Sequence, residues 1–289
     1  MLTTPRRRLL VTGAAQWLGL TPLLLAIERN CLGPLVRGVI YHSVPQAHAG
    51  DFERQLQYYQ RHYAPVTHAD LAELLATGQW PHRKPGLILS FDDGMRTHAE
   101  VAAPLLDKYG FCGWFFIPTE FLDTPDEAQR QYARDHQISL NEDLPGPRVA
   151  MTWGQARDLA ERHVVGGHSA THVRLSAKLT TEQLQREIPQ AKEYLEQQLG
   201  RTVDTFAWVG GQEWSYSQSA AQAIRDAGFR YAFMTNSRYL NKKSCPLQLD
   251  RSQVEPHWPL SVVRWQLSIL MDAYYYPKRR RVHRVTRLS

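Results

Sequence analysis

Short apolar runs recur along most of the chain, each followed by a longer amphipathic stretch. Residues 35–44 (LVRGVIYHSV), 87–91 (LILSF), 113–117 (GWFFI), 163–167, 205–209, 231–234 and 249–254 read as strands, with a shorter one at 64–67. Residues 52–63, 69–76, 99–109, 180–199 and 217–227 read as helices, as does the stretch from Trp153 to Arg162. Gly110, Gly200 and Gly228 stand where helices stop, because glycine adopts the left-handed conformation of a helix end without strain. A parallel strand can be reached only by a crossover, so this alternation implies a parallel sheet, and seven or eight units imply a barrel. The fold class is therefore α/β. A length of 289 residues, 43% of them apolar, suffices for one such core.

Two regions break the rhythm. Residues 121–150 are polar and proline-rich and read as an insertion, helical in part over 125–135. The ends carry much of the formal charge of +6: Arg6, Arg7 and Arg8 at one, Lys278, Arg279, Arg280, Arg281, Arg284 and Arg287 at the other. The plain reading is two solvated tails; the functional one is attraction to an anionic membrane surface. The apolar stretch 9–27 is interrupted by Gly13, Gln16, Gly19, Thr21 and Pro22, and no small-x-small cleavage site follows it, which disfavours a cleaved signal peptide. A membrane-lying helix, an uncleaved anchor and a helix packed on the domain all stay open; a spanning segment would place Arg6 to Arg8 inside and the domain outside. The expectation favours membrane association at the cytoplasmic face over an anchored periplasmic domain. The expected organisation is a basic, apolar segment over 1–35, a barrel over 36–260 and a C-terminal helix with a basic tail over 261–289. Cys31, Cys112 and Cys245 are too sparse for a disulfide framework or a zinc finger. No basic run inside the body carries interleaved aromatics, so nucleic acid is not an expected partner.

The chemistry concentrates at two strand ends. Asp92 and Asp93 follow the run LILSF, and His168 follows the run 163–167. In a (β/α) barrel the carboxyl ends of the strands share one face, so topology alone brings these residues together. Asp-Asp-Gly alone could be just a turn, and one His-x-x-x-His pair among twelve histidines is a weak signal. Jointly they say more. Adjacent residues leaving a strand point in different directions, so one carboxylate can bind a metal while its neighbour stays free. The spacing of His168 and His172 lets both rings reach one point if the segment turns helically. Asp93, His168 and His172 would then form a two-histidine, one-carboxylate set with open positions, suited to zinc first and to cobalt, nickel or iron next. Gly166 and Gly167 argue for close backbone packing beneath the histidines.

Ser90-Phe91-Asp92-Asp93-Gly94, Gly167-His168-Ser169-Ala170-Thr171-His172, Ile40-Tyr41-His42-Ser43-Val44 and Met151-Thr152-Trp153 together resemble motifs of the polysaccharide deacetylases of carbohydrate esterase family four, the NodB-like fold. The first-strand motif resembles the branch acting on poly-N-acetylglucosamine. The resemblance spans roughly 36–255 and implies a distorted (β/α)7 barrel. It implies that Asp93, His168 and His172 hold a divalent metal, most simply zinc, and that Asp92 is the general base toward the attacking water. It implies His42 as the acid that protonates the leaving amine, with His257 as the rival. The implied partner is an N-acetylated polysaccharide or glycan. The family's proline-aromatic wall after the later strand is missing: that place reads Phe206-Ala207-Trp208-Val209-Gly210-Gly211. Trp208 is a candidate to stack on a sugar face, with a core tryptophan as the alternative. Arg251 is a candidate to supply charge at the site, unless Asp250 pairs with it. The readings carried forward are a metal-dependent N-deacetylase, a non-catalytic sugar-binding relative, a hydrolase of another linear amide, and a membrane-associated scaffold.

Overall fold

The structure, a computed structural model, describes residues 35–140 and 144–288; the expected segment 1–35 thus lies, but for Leu35, outside the described residues. The strands are β1 (Val36–Tyr41), β2 (Ala64–Pro65), β3 (Gly86–Phe91), β4 (Gly113–Ile117), β5 (Val164–Gly167), β6 (Thr205–Ala207), β7 (Tyr231–Met234), β8 (Leu249–Asp250) and β9 (Ser252–Gln253). All pair in parallel, in the order β8-β7-β6-β5-β4-β3-β1-β9, with β2 beside the start of β3. The expected strand 249–254 is split at Arg251, and this break closes the sheet. β8 pairs with β7 and β9 with β1, while Arg251 N donates to Met234 O at 2.8 Å and Val254 N to Ile40 O at 3.0 Å. The result is the distorted (β/α)7 barrel expected from the sequence.

Strand alternation sorts the core into two layers. Val36, Ile88, Trp114, Phe116, Tyr231, Phe233 and Leu249 fill the barrel. Val39, Leu87, Leu89, Phe91, Phe115 and Phe206 face the surrounding helices. The inward positions of β3 continue from Ile88 to Ser90 and on to Asp92, which carries the acid to the top of the plug. Glycine is required where neighbours come closest: a Cβ at Gly166 would stand 2.4 Å from Thr205 Oγ1 and 2.7 Å from Thr205 O, which bears out the close packing expected beneath the histidines.

The helices begin and end where capping chemistry dictates. Thr67, Thr152 and Thr180 each form a reciprocal capping box, with Asp70, Gln155 and Gln183. The expected helix 180–199 is interrupted by a π-turn, Arg186–Gln190, around Pro189, whose missing N–H breaks the regular ladder. The C-terminal basic cluster is not a tail. All of it but Arg287 lies on the helix Ile269–Val285, which packs on the barrel through Met271, Asp272, Arg279 and Val282. Asp272 forms a buried bidentate pair with Arg37 of β1 at 2.8 and 3.0 Å. Among the described residues no helix is long and apolar enough to cross a membrane.

Candidate metal centre and catalytic cleft

A cleft of about 630 Å³ opens over the carboxyl ends of the strands, and His42, Asp92, Asp93, His168, His172 and His257 line it. Trp208 and Arg251 do not. Trp208 is 1% exposed and packs on Phe206 and Tyr216, so the sugar-stacking role is corrected to a core role. Its β-strand ends at Ala207, and the tryptophan falls beneath the rim rather than on it.

Arg251 is fully buried and acts on Asp92 rather than on the cleft. Its Nη1 donates to Asp92 Oδ1 and to Ser90 Oγ, both at 2.8 Å, and its Nη2 to Asp92 Oδ2 at 2.9 Å. The guanidinium lies over the Phe116 and Phe233 rings at 5.1 and 5.6 Å from their centroids. Asp250 does not pair with it; that carboxylate faces outward to His283 Nε2 at 3.1 Å. Burial works to raise the Asp92 pKa, but Arg251, then His168, outweigh it and hold the carboxyl below its ordinary value. Asp92 is thus a fixed, ionised acceptor. The guanidinium stem owes its room to Gly38 of β1, where an added Cβ would lie 2.9 Å from Arg251 Cγ. Gly38→Ala is expected to push Arg251 off Asp92 and lower turnover about 10- to 100-fold, as loss of an orienting partner does; unchanged steady-state kinetics would contradict this.

Asp93 turns the other way. Its φ of 79° is left-handed, uncommon for a residue with a side chain and concentrated at functional sites. This twist separates the two acids into different roles. The histidine segment holds a second surprise: 168–172 is not a helical turn, and Ser169 and His172 both have φ of 61°. What imposes that shape is Glu187, on the π-turn and buried. Its Oε2 accepts from Ala170 N and Thr171 N at 3.0 and 2.9 Å, and its Oε1 from Thr171 Oγ1 at 2.9 Å. Glu187→Ala leaves two buried N–H groups unpaired and is expected to weaken divalent-metal binding by about 10- to 100-fold. Glu187→Gln keeps an acceptor and should recover most of it; calorimetric titration with a divalent metal distinguishes the two.

The rings themselves are aimed. His168 Nδ1 meets Ala207 O at 2.8 Å and His172 Nδ1 meets His136 O at 2.7 Å. A carbonyl can only accept, so both Nδ1 atoms carry hydrogen and both Nε2 lone pairs face inward. They face Asp93 Oδ1, 3.4 Å from His168 Nε2 and 3.0 Å from His172 Nε2. The three ligand atoms lie within 4.8 Å of one another, all from buried residues. Asp93 Oδ1 has no hydrogen-bond partner among the described residues. Two lone pairs and an anionic oxygen converge here from buried residues, a donor set that fits a divalent metal with open positions. Burial would lower the His172 pKa, but Asp93 outweighs it and raises it.

Several contributors carried no readable signal. The His136 carbonyl comes from the end of the insertion, which also lends Gln137, Ser139 and Leu140 to the cleft wall. Gln55, buried on the helix Ala49–His62, donates through Nε2 to the carbonyls of Glu255, Pro256 and Trp258, and so holds the loop bearing His257. His98 Nε2 donates to the backbone oxygen of His42 at 3.2 Å; burial pushes its pKa down to about 4, which keeps it a neutral donor. Lys278, expected in a solvated tail, lines the cleft and donates to Thr235 O at 2.8 Å, with burial lowering its pKa to about 8.

Comparison with known proteins agrees with this geometry. Residues 144–232 match the family described as polysaccharide deacetylase. No curated protein matches the chain by sequence. Several solved structures share the fold. The Streptococcus pyogenes deacetylase PplD, in complex with acetate, superposes with a TM-score of 0.63 at 17% identity, covering 82% of this chain and 98% of its own. The deacetylase domain of BpsB from Bordetella bronchiseptica gives 0.62 at 16% identity, covering 76% and 96%. IcaB from Ammonifex degensii gives 0.60 at 18% identity, covering 82% and 98%. The match over residues 144–232 and the barrel shared with these structures make the fold that of the NodB-like polysaccharide deacetylases.

Proposed function

We propose that the chain is a divalent-metal-dependent hydrolase that removes N-acetyl groups from a polysaccharide or glycan. The observation that carries this reading is the pairing of two unlike acids at one cleft: Asp93 converging with two histidine lone pairs, and Asp92 held ionised beside it. Deacetylases share the fold, which supports the substrate class. A zinc ion held by Asp93, His168 and His172 would polarise the acetamide carbonyl and acidify the attacking water. Asp92 accepts the water proton: a carboxylate this acidic is a weak base in bulk water but suffices toward water already acidified. Arg251 fixes the direction of its oxygens and keeps it charged between turnovers.

The leaving amine takes its proton from His42. Both Asp92 and Asp93 feel the charge of His42, whereas the charge of His257 falls on Asp51, at the rim, where the His257 ring lies 5.4 Å from that of His48. That difference supports the half-buried His42 as the acid and His257 as a rim residue facing substrate. His42→Ala is expected to lower turnover by about 100-fold or more, and His257→Ala to act mainly on KM; a turnover loss confined to His257→Ala would reverse the assignment.

The test of the reading is acetate release from N-acetylglucosamine oligomers. Release that stops with chelator and returns with zinc supports it. Release that persists in chelator overturns it, and one equivalent of bound metal with no release from any N-acetyl glycan would instead mark a sugar-binding relative.

A further inference from the structure

The helix Ile269–Val285 has a solvent face that stands apart among the described residues. Five large hydrophobic residues are exposed among the described residues: Trp214, Leu270, Tyr274, Tyr276 and Val285. Four lie on this helix, and the fifth is tied to it, because Glu213 beside Trp214 pairs with Arg281. Beside them stand the exposed Arg280 and Arg284 and, just past the helix end, Arg287. Apart from Glu213, which is paired with Arg281, the acid nearest this face is Asp272, the one acid of the helix, and it is buried against Arg37. On the same flank a cleft of about 710 Å³ is lined by Arg225, Arg238, Arg280, Arg284 and Arg287, and guanidinium groups bind phosphate oxygens in pairs.

We infer that this face is a docking surface for an anionic phospholipid membrane. Arg280, Arg284 and Arg287 meet headgroup phosphates, and tyrosine and tryptophan are the side chains that settle at headgroup depth. Interspersed aliphatic residues, Leu270 and Val285, favour a lipid over a nucleic acid, since they offer nothing for a base to stack on. The helix is too short of apolar residues to cross a bilayer, so it lies on the surface, in the manner of interfacial helices. The same helix contributes Tyr275 and Lys278 to the catalytic cleft. Docking therefore sets that mouth beside the lipid, where it would meet a membrane-carried glycan; this last step alone rests on the deacetylase reading.

The experiment is co-sedimentation of the full chain with vesicles of neutral phosphatidylcholine and of phosphatidylcholine carrying phosphatidylglycerol, with no glycan present. The native chain should favour the anionic vesicles. Each basic residue near such a surface is worth about fivefold in affinity, so the combined R280Q, R284Q and R287Q variant should bind about a hundredfold more weakly. Y274S with Y276S should weaken binding in a way that added salt does not mimic. All these positions are exposed, and an unchanged melting temperature confirms that the variants fold. Unaltered binding by the arginine variant, equal binding to neutral vesicles, or displacement by stoichiometric duplex DNA would each overturn the inference. Acetate release from soluble oligomers, measured on the same variants, should be unchanged, so failure of docking and failure of the deacetylase reading are read separately.

Discussion

Asp92→Asn should lower acetate release about a thousandfold while leaving one equivalent of zinc bound. General base catalysis contributes roughly 10²- to 10⁴-fold, and asparagine has nearly the same shape but no basic oxygen. Metal binding should survive because Asp93, not Asp92, faces the two Nε2 atoms. The substitution also removes one side of a fully buried ion pair, so the melting temperature should fall, by an amount equivalent to about 3 kcal/mol. The split between turnover and metal content is the informative part. Loss of zinc together with activity would show that the roles of the two acids are not divided as their opposite orientations imply.

Arg251→Met should cost about 3–5 kcal/mol of stability and about a hundredfold in turnover at neutral pH. Methionine refills the volume above Phe116 and Phe233 but leaves Asp92 buried without a counter-charge. Burial is the one influence on Asp92 that raises its pKa, and Arg251 leads those that lower it. Removing the arginine takes away the leading influence that opposes burial, so the carboxyl's pKa rises. The sign of the pH effect follows. In the native chain the Asp92 pKa lies below 3.8, so its stabilisation is complete above the ordinary carboxylate range and is lost as pH falls through the folded value. In the variant the acid limbs of both stability and rate move to higher pH. Arg251→Lys, which restores charge without the bidentate fork, should move them back without restoring full turnover. A variant with a native pH profile would mean that Arg251 merely fills the barrel.

Much of this was legible in the sequence because it rests on local rules. Period-two runs and helix caps placed the strands and most helices. The motif acids and histidines reached one mouth because strand ends share a face, whatever lies between. The parts that were not legible depend on contacts distant in sequence. Glu187 dictates the left-handed backbone of Ser169 and His172 from beyond the following loop, so the spacing of the histidines suggested a helical turn that the chain does not make. The carbonyls of Ala207 and His136 orient the rings, and a backbone oxygen leaves no mark in composition. Arg251 finds Asp92 across the barrel, through space left by Gly38, and nothing beside Arg251 in sequence distinguishes that pairing from one with Asp250. Trp208 looked like a wall residue because the strand end was placed two residues late. The C-terminal arginines looked like a tail because the buried Asp272 and Arg279 that seat their helix are polar.

The most direct test of the central claim is stepwise return of zinc to chelated protein while acetate release from N-acetylglucosamine oligomers is followed. A site built from Asp93, His168 and His172 predicts that activity rises in proportion to added zinc and levels at one equivalent, and that His172→Ala neither binds nor recovers. Full activity before any zinc is added, or an undiminished rise in His172→Ala, would contradict it.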